Sequence, residues 1–103
     1  MKLNIYTVYD EKATAYLQPF FQPNDAMAIR IMENTLMNAE SMFANHPEDY
    51  TLYKIGEFDD NDAKIDFEKT LVLGLLELKA RLTANEISNE APILPGAKSS
   101  NSA

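Results

Sequence analysis

The chain has 103 residues, which is enough for one domain and short for two. Sixteen acidic and nine basic residues give a formal net charge of −7, which excludes a protein that coats duplex DNA through bulk positive charge. The absence of cysteine excludes disulfides, thiolate metal sites and cysteine nucleophiles. We expect no signal peptide, because the apolar residues at the N-terminus alternate with polar ones and are soon followed by Asp10 and Glu11. We expect no membrane-spanning segment, because no apolar stretch approaches the length of about 20 residues that crosses a bilayer.

The first predicted element is a β-strand at residues 2–9, where β-branched and aromatic residues recur with a period of two. This alternation places Leu3, Ile5 and Thr7 on one face and Asn4, Tyr6 and Val8 on the other. Residues 13–23 contain Pro19 and Pro23, which prevent a regular helix or a central strand, so residues 16–21 predict an edge strand or a packed loop.

A long helix is predicted from residue 24 or 25 to about residue 44, with Asn24 or Asp25 as its N-cap. Its apolar stripe consists of Ile29, Met32, Leu36, Ala39 and Phe43. Met27 and Ile31 lie on or near the outer side of this helix. Because contiguous exposed apolar residues usually have a use, this pair favours a partner-binding surface or self-association as a homodimer.

The second half of the chain predicts a β-hairpin, with strands at 50–58 and 63–70 on either side of an acidic turn. Residues 71–84 predict a short helix with Leu71, Leu75, Leu78 and Leu82 on one face, although Gly74 weakens its start and the strand can continue to Leu73. We expect one α+β domain at residues 1–87 and a flexible tail at 88–103. The fold class is a small, mostly antiparallel sheet with one long and one short helix, in the order β-(β)-α-β-β-α.

The acidity is concentrated in the middle, since residues 31–68 contain ten acidic and two basic residues. Clustered carboxylates suit a hard cation, but their spacing here does not fit an EF-hand loop. A solvated hairpin turn is the alternative, and Asp59, Asp60 and Asp62 can then dock a basic segment of a partner. We expect no metal and no other cofactor.

His46 is the one side chain whose ordinary pKa lies near neutrality. It stands in a predicted loop beside Glu48 and Asp49, and the sequence contains no nucleophile-elbow, phosphate-loop or dinucleotide-binding pattern. The expectation is a protein without enzymatic activity and without catalytic residues.

The first 30 residues differ from the rest, because their charges sum to zero and they hold five of the ten aromatic residues. Proteins that bind single strands stack bases on aromatic side chains and guide the backbone with a few cations. The aromatic residues here predict either the core of a small domain or a single-stranded DNA contact. The residues of that contact would be Lys2, Tyr6, Lys12, Tyr16, Phe20, Phe21 and Arg30.

Three segments carry a family resemblance, namely VYDEKATAYLQPFF (8–21), NDAMAIRIMEN (24–34) and HPEDYTLYKIGEFDDN (46–61). Over about residues 1–61 the chain resembles the small nonstructural, DNA-binding or C-protein-like protein of gokushoviruses, which are single-stranded DNA phages of the Microviridae. The resemblance implies an accessory protein in the cytoplasm of the host bacterium that supports single-stranded genome synthesis and packaging. Its partners would be viral replication or procapsid proteins, and direct binding of single-stranded DNA is the alternative.

Overall fold

The computed structural model describes the backbone of residues 1–90 and the side chains of residues 1–85. It confirms the predicted α+β class. The elements are β1 (Lys2–Asp10), β2 (Ala15–Tyr16), β3 (Phe20–Gln22), α1 (Asp25–Met37), α2 (Met42–Asn45), a 3-10 turn (Pro47–Asp49), β4 (Tyr50–Asp59), β5 (Lys64–Gly74) and α3 (Leu75–Glu90). Residues 88–90 of the predicted tail belong to α3, and residues 91–103 lie outside the described part of the chain.

The strands form one antiparallel sheet in the order β2-β1-β4-β5, and β3 also pairs with β1. The strand β1 is central and pairs with β4 along its length, from Lys2 opposite Asp59 to Asp10 opposite Tyr50. Residues directly opposite each other in an antiparallel pair point to the same face. The register therefore assigns each strand residue to one of two faces, and the predicted alternation along β1 is confirmed.

The helices cover one of these faces, which we call the helix-covered face. On the sheet side its core contains Tyr6, Val8, Tyr50, Leu52 and Leu73. The helices contribute Ala28, Met32 and Leu36 from α1 and Leu75 and Leu78 from α3. Burial of these apolar side chains is the main driving force for a domain of this size.

The helix predicted to reach residue 44 is divided in two, and this is a correction. The backbone at Asn38 is extended, with φ −86° and ψ 106°, and Ser41 begins α2 by accepting a hydrogen bond from the Phe43 amide at 3.0 Å. The Asn38 side chain also accepts from the Glu40 amide at 3.1 Å. Short polar side chains that bond the nearby backbone compete with helix geometry, so Ala39 falls in a break rather than in the apolar stripe.

The second correction concerns the boundary between β5 and α3. The strand extends to Gly74, and the helix occupies Leu75–Glu90. Leu71 therefore lies in the strand, 61% exposed, whereas Leu75 and Leu78 are buried as predicted. A strand and a helix project side chains with different periods, so the spacing of the leucines does not place all four on one face.

Candidate interaction surface

One face of the sheet carries no helix among residues 1–90, and we call it the helix-free face. It is rich in aromatic and aliphatic side chains. The register assigns to it Leu3, Phe58 and Ile65 in one row, Ile5, Gly56 and Phe67 in the next, and Thr7, Tyr53 and Leu71 in a third. Tyr9 with Tyr16, and Phe21 opposite Ile5, extend it across β2 and β3. Exposure reaches 77% at Phe67, 61% at Leu71 and 60% at Ile65.

The acidic residues of the strands lie on the other side of the sheet. Glu57 opposes Asp66 on the face that carries Asn4 and Tyr6, and Asp59 opposes Lys2 and Lys64 on that face. Two polar grooves run along this side, and one of them brings Glu68 together with Glu57 and Asp66. At its outer end the sheet therefore has one charged face and one apolar face.

Three tyrosines and a lysine form a cluster on the helix-free face, which we call the tyrosine cluster. The ring centroids of Tyr9 and Tyr16 lie 4.7 Å apart, and those of Tyr16 and Tyr53 lie 6.0 Å apart. Lys69 Nζ donates to the Tyr16 hydroxyl at 2.7 Å and lies 5.1 Å and 5.4 Å from the centroids of the Tyr16 and Tyr53 rings. The hydrogen bond to Tyr16 and the neighbouring tyrosines raise the pKa of Lys69, so its ammonium is protonated at neutral pH.

A shallow groove of about 500 Å³ lies beside the tyrosine cluster. It runs between the segment that joins β2 to β3 and the strands β4 and β5. Its walls are mainly apolar, with Leu17, Pro19, Ile55 and Phe67 beside Tyr16 and Lys69. The arrangement can hold an apolar or aromatic group and place one positive charge next to it.

An irregularity in β4 shapes the floor of this surface. Gly56 opposes Ile5 and Lys54 opposes Tyr6, so Ile55 is an extra residue in β4, as in a β-bulge. A Cβ atom on Gly56 would lie 2.3 Å from the Asp66 carbonyl oxygen in β5. Only glycine allows β4 and β5 to approach this closely next to the bulge.

A buried tyrosine joins the sheet to the start of α1. Tyr6 is fully buried, and its hydroxyl donates to Asp25 Oδ1 at 2.5 Å while it accepts from Asn4 Nδ2 at 2.9 Å. Burial, followed by the hydrogen bond to Asp25, raises the pKa of Tyr6 to about 12. This contact links β1 to the first residue of α1.

The residues predicted to bind single-stranded DNA are divided by the structure. Tyr16 and Phe21, each 46% exposed, lie on the helix-free face. Tyr6 is in the core, and Phe20 stacks on it with centroids 5.8 Å apart, so neither ring presents an open face for a base. The three cations lie apart from these rings, with Lys2 on the charged side of the sheet, Lys12 in the turn after β1 and Arg30 on α1.

The residues predicted to bind a protein partner are also separated. Met27 is 43% exposed on α1, whereas Ile31 is half-buried against the core. Three acidic residues at the β4–β5 turn accept hydrogen bonds. Asp59 accepts from the Asn61 amide and Asp62 accepts from the Lys64 amide, so these two have a structural role in closing the turn. Asp60 instead accepts from the Met1 ammonium, which lies 59 residues away in the chain.

The loop histidine lies within reach of two acids. His46, Glu48 and Asp49 each offer one ligand atom within 4.8 Å of the others, and His46 Nδ1 is 3.9 Å from Glu48 Oε2. His46 and Glu48 are exposed, and exposed groups of this kind are common without an ion.

Five members of the surface were not predicted from the sequence, namely Tyr9, Tyr53, Phe58, Phe67 and Lys69. The signal was the alternation in β5, where Ile65, Phe67, Lys69 and Leu71 share one side and Asp66, Glu68 and Thr70 share the other. That pattern indicates one apolar face and one polar face, but it does not tell which face the helices cover. Lys69 is 53 residues from Tyr16, so only the register of the sheet brings them together.

Among residues 1–90, no helix is long and apolar enough to cross a membrane. Comparison with curated proteins and with solved structures gives no match. The family model for the Phage ORF5 protein matches residues 3–78, which include all five strands and the start of α3. The chain therefore belongs to the Phage ORF5 protein family.

Proposed function

We propose that this phage protein is a non-enzymatic accessory factor that supports single-stranded genome synthesis and packaging by binding other proteins through its helix-free face. The proposal places it in the cytoplasm of the host bacterium. The resemblance to the gokushovirus nonstructural protein supports the link to a single-stranded genome, and the family match supports a phage origin. Its viral partners are proteins of replication or of the procapsid.

One observation carries this proposal, namely the exposed apolar side chains of the helix-free face. Phe67, Leu71 and Ile65 are each at least 60% exposed and are contributed by a single strand. Monomeric soluble proteins rarely expose contiguous apolar patches larger than about 300–600 Å², and patches of this size often bind a partner or a ligand. The absence of strand carboxylates from this face, among the described residues, lets a partner cover it without desolvating a negative charge.

The test compares two β5 variants that introduce the same charge on opposite faces. Phe67→Glu adds a carboxylate to the helix-free face, and Thr70→Glu adds one to the charged face. In infected cells, the tagged wild type and Thr70→Glu should capture a viral replication or procapsid protein, whereas Phe67→Glu should lose it and reduce the yield of packaged genomes. If the wild type captures neither protein and its deletion leaves packaging unchanged, the proposed function is wrong.

The tyrosine cluster favours a second candidate function, direct binding of single-stranded DNA. An antiparallel sheet with helices on one side and exposed aromatic rings on the other offers a surface on which bases can stack. Tyr16 and Phe21 supply exposed rings, and Lys69 supplies a cation beside Tyr16. In this candidate function the DNA contact would lie on the helix-free face, with Lys69 in place of the predicted Lys2, Lys12 and Arg30.

Oligonucleotide binding at low salt tests this candidate, because low salt is the most permissive condition for a phosphate contact. Tyr16→Ala should weaken binding roughly 5- to 100-fold, the range expected for one stacked base. Lys69→Gln should weaken binding and reduce its salt dependence, whereas Arg81→Gln removes the same charge from α3 and should change neither. Equal binding by all three variants would exclude the tyrosine cluster as the DNA site.

A further inference from the structure

We infer that the helix-free face binds a second copy of this chain, so that two sheets pack face to face as a homodimer. This inference rests on the proposed function in one respect, since it takes the helix-free face to be a protein-binding surface. A second copy and a viral protein would compete for that face, so the homodimer is the form of the chain that has not bound a viral protein. The interface would lie on the sheet, away from the outer side of α1 where the sequence favoured self-association through Met27 and Ile31.

The helix-free face exposes a large area of apolar side chains. At about 200 Å² for a whole aromatic side chain, the exposed portions of Tyr16, Phe21 and Phe67 amount to roughly 300 Å². Ile65 and Leu71, each about 60% exposed, bring the patch to roughly 550 Å², which is at the upper end of the largest apolar patch of a typical monomer. With the half-buried Leu3, Tyr53 and Phe58 at its margin, the surface approaches the area of about 800 Å² that each partner buries in a stable interface.

The helix-free face carries little charge, which suits a second copy of an acidic chain. The whole chain carries −7, and the acidic residues of its strands lie on the opposite side of the sheet. Two copies packed through their helix-free faces keep those carboxylates on the outside, far from each other and in water. Lys69 is the one formally charged strand side chain that the described structure places on this face, and it already bonds Tyr16. An apolar, nearly uncharged face matches a copy of itself better than it matches a strongly basic or acidic partner.

The copies would pack by their faces rather than by their edges, because charged residues along β5 oppose edge pairing. The outer edge of β5 is unpaired within the described sheet, and edge strands of this kind can pair with a second chain. A two-fold axis centred on Asp66, Phe67, Glu68 or Lys69, the last being the middle residue of β5, would set Asp66 against Asp66, Asp66 against Glu68, Glu68 against Glu68, or Lys69 against Lys69 of the other copy. Directly opposed like charges destabilise a strand pair, so these residues protect the edge while the face stays open.

Sedimentation or light scattering on the purified full chain tests the inference. The wild type should have twice the chain mass of 11.6 kDa. Phe67→Glu should weaken association by at least about 30-fold, as expected for a side chain central to an interface, whereas Thr70→Glu should remain dimeric. A monomeric wild type at every concentration, or a Phe67→Glu variant that associates like the wild type, would overturn the inference.

Cross-linking provides a measurement that does not disturb the aromatic residues. The natural chain contains no cysteine, so a single introduced cysteine reports its own surroundings. A bifunctional maleimide should join two copies of Ile65→Cys, on the helix-free face, faster than two copies of Glu68→Cys, on the charged face. Equal or reversed rates would place the interface elsewhere. Circular dichroism and thermal unfolding of Phe67→Glu show whether it is folded, and if it is not, the Ile65→Cys and Glu68→Cys rates decide.

Different results would contradict the proposed function and the homodimer. A monomeric wild type that still captures a viral protein through Phe67 would overturn the homodimer and leave the proposed function. A Phe67-dependent dimer that captures no viral protein and is dispensable for packaging would overturn the proposed function and support the homodimer.

Discussion

The two faces of this sheet are built by the same strands, but one is buried beneath helices and the other is largely exposed at β5. On the helix-covered face, Tyr6 and Leu52 are fully buried beneath α1 and α3. On the helix-free face, Phe67 and Leu71 remain largely exposed. The difference shows that apolar content alone does not define the core. The chain's own helices determine which apolar face of the sheet becomes the core.

The largest expected effect compares two leucines on opposite faces. Leu52→Ala removes a fully buried side chain and should lower the free energy of unfolding by about 2–5 kcal/mol. Leu71→Ala makes the same chemical change at a side chain 61% exposed and should cost less than about 0.5 kcal/mol in the monomer. Urea unfolding measures both values.

Urea unfolding of both variants at several protein concentrations extends this comparison. If a second copy covers the helix-free face, the cost of Leu71→Ala should increase with concentration, while the cost of Leu52→Ala should not. Equal losses for the two variants in the monomer would contradict the assignment of the faces.

The next effect compares two glycines in adjoining strands. Gly56→Ala places a methyl group against the Asp66 carbonyl oxygen and should destabilise the protein by roughly 2–3 kcal/mol, the upper range for overpacking. Gly74→Ala meets no atom within 4 Å and should be nearly neutral. Thermal unfolding compares the variants, and a neutral Gly56→Ala would show that β4 and β5 do not approach as closely as described.

The smallest effect concerns the bond between the sheet and α1. Tyr6→Phe should lower the free energy of unfolding at neutral pH by about 1 kcal/mol, because it removes the hydroxyl that Asp25 and Asn4 share. In the wild type, the folded pKa of Tyr6, about 12, exceeds the ordinary value of 10. Its contribution is therefore complete below pH 10 and is lost as the pH rises from 10 towards 12.

Urea unfolding as a function of pH checks the sign of this contribution. Tyr6→Phe should show a smaller loss between pH 10 and pH 12 than the wild type. Part of the loss should persist, since burial and the neighbouring Asp10 and Asp49 also raise the pKa of Tyr50. An unchanged alkaline profile in Tyr6→Phe would contradict the buried hydrogen bond.

The sequence was informative where the pattern was local and regular. The alternation of residues 2–9 predicted β1 and the assignment of Tyr6 and Val8 to one face, and the acidic turn predicted the β4–β5 hairpin. Pro19 and Pro23 correctly restricted residues 16–21 to short strands and loop.

The features that the sequence did not predict depend on side chains that compete with helix geometry, or on contacts between residues far apart in the chain. The break at Asn38 and Ser41 results from side chains that cap one helix and begin another, and an apolar stripe does not show this. The tyrosine cluster depends on which strands become neighbours, because Tyr16, Tyr53 and Lys69 come from three separate segments. A period of two gives two faces but does not say which one the helices will cover.

The central position of β1 has a consequence for the order of folding. Residues 2–10 precede the other strands in the chain, and they pair with β2 and β3 through short local connections. Pairing with residues 50–59 closes a much longer loop that contains both α1 and α2. Because long-range strand pairing must overcome loop-closure entropy before its contacts form, we expect the docking of the β4–β5 hairpin onto β1 to limit the folding rate. Until that step is complete, the edge of β1 that β4 occupies in the folded chain is open to other strands.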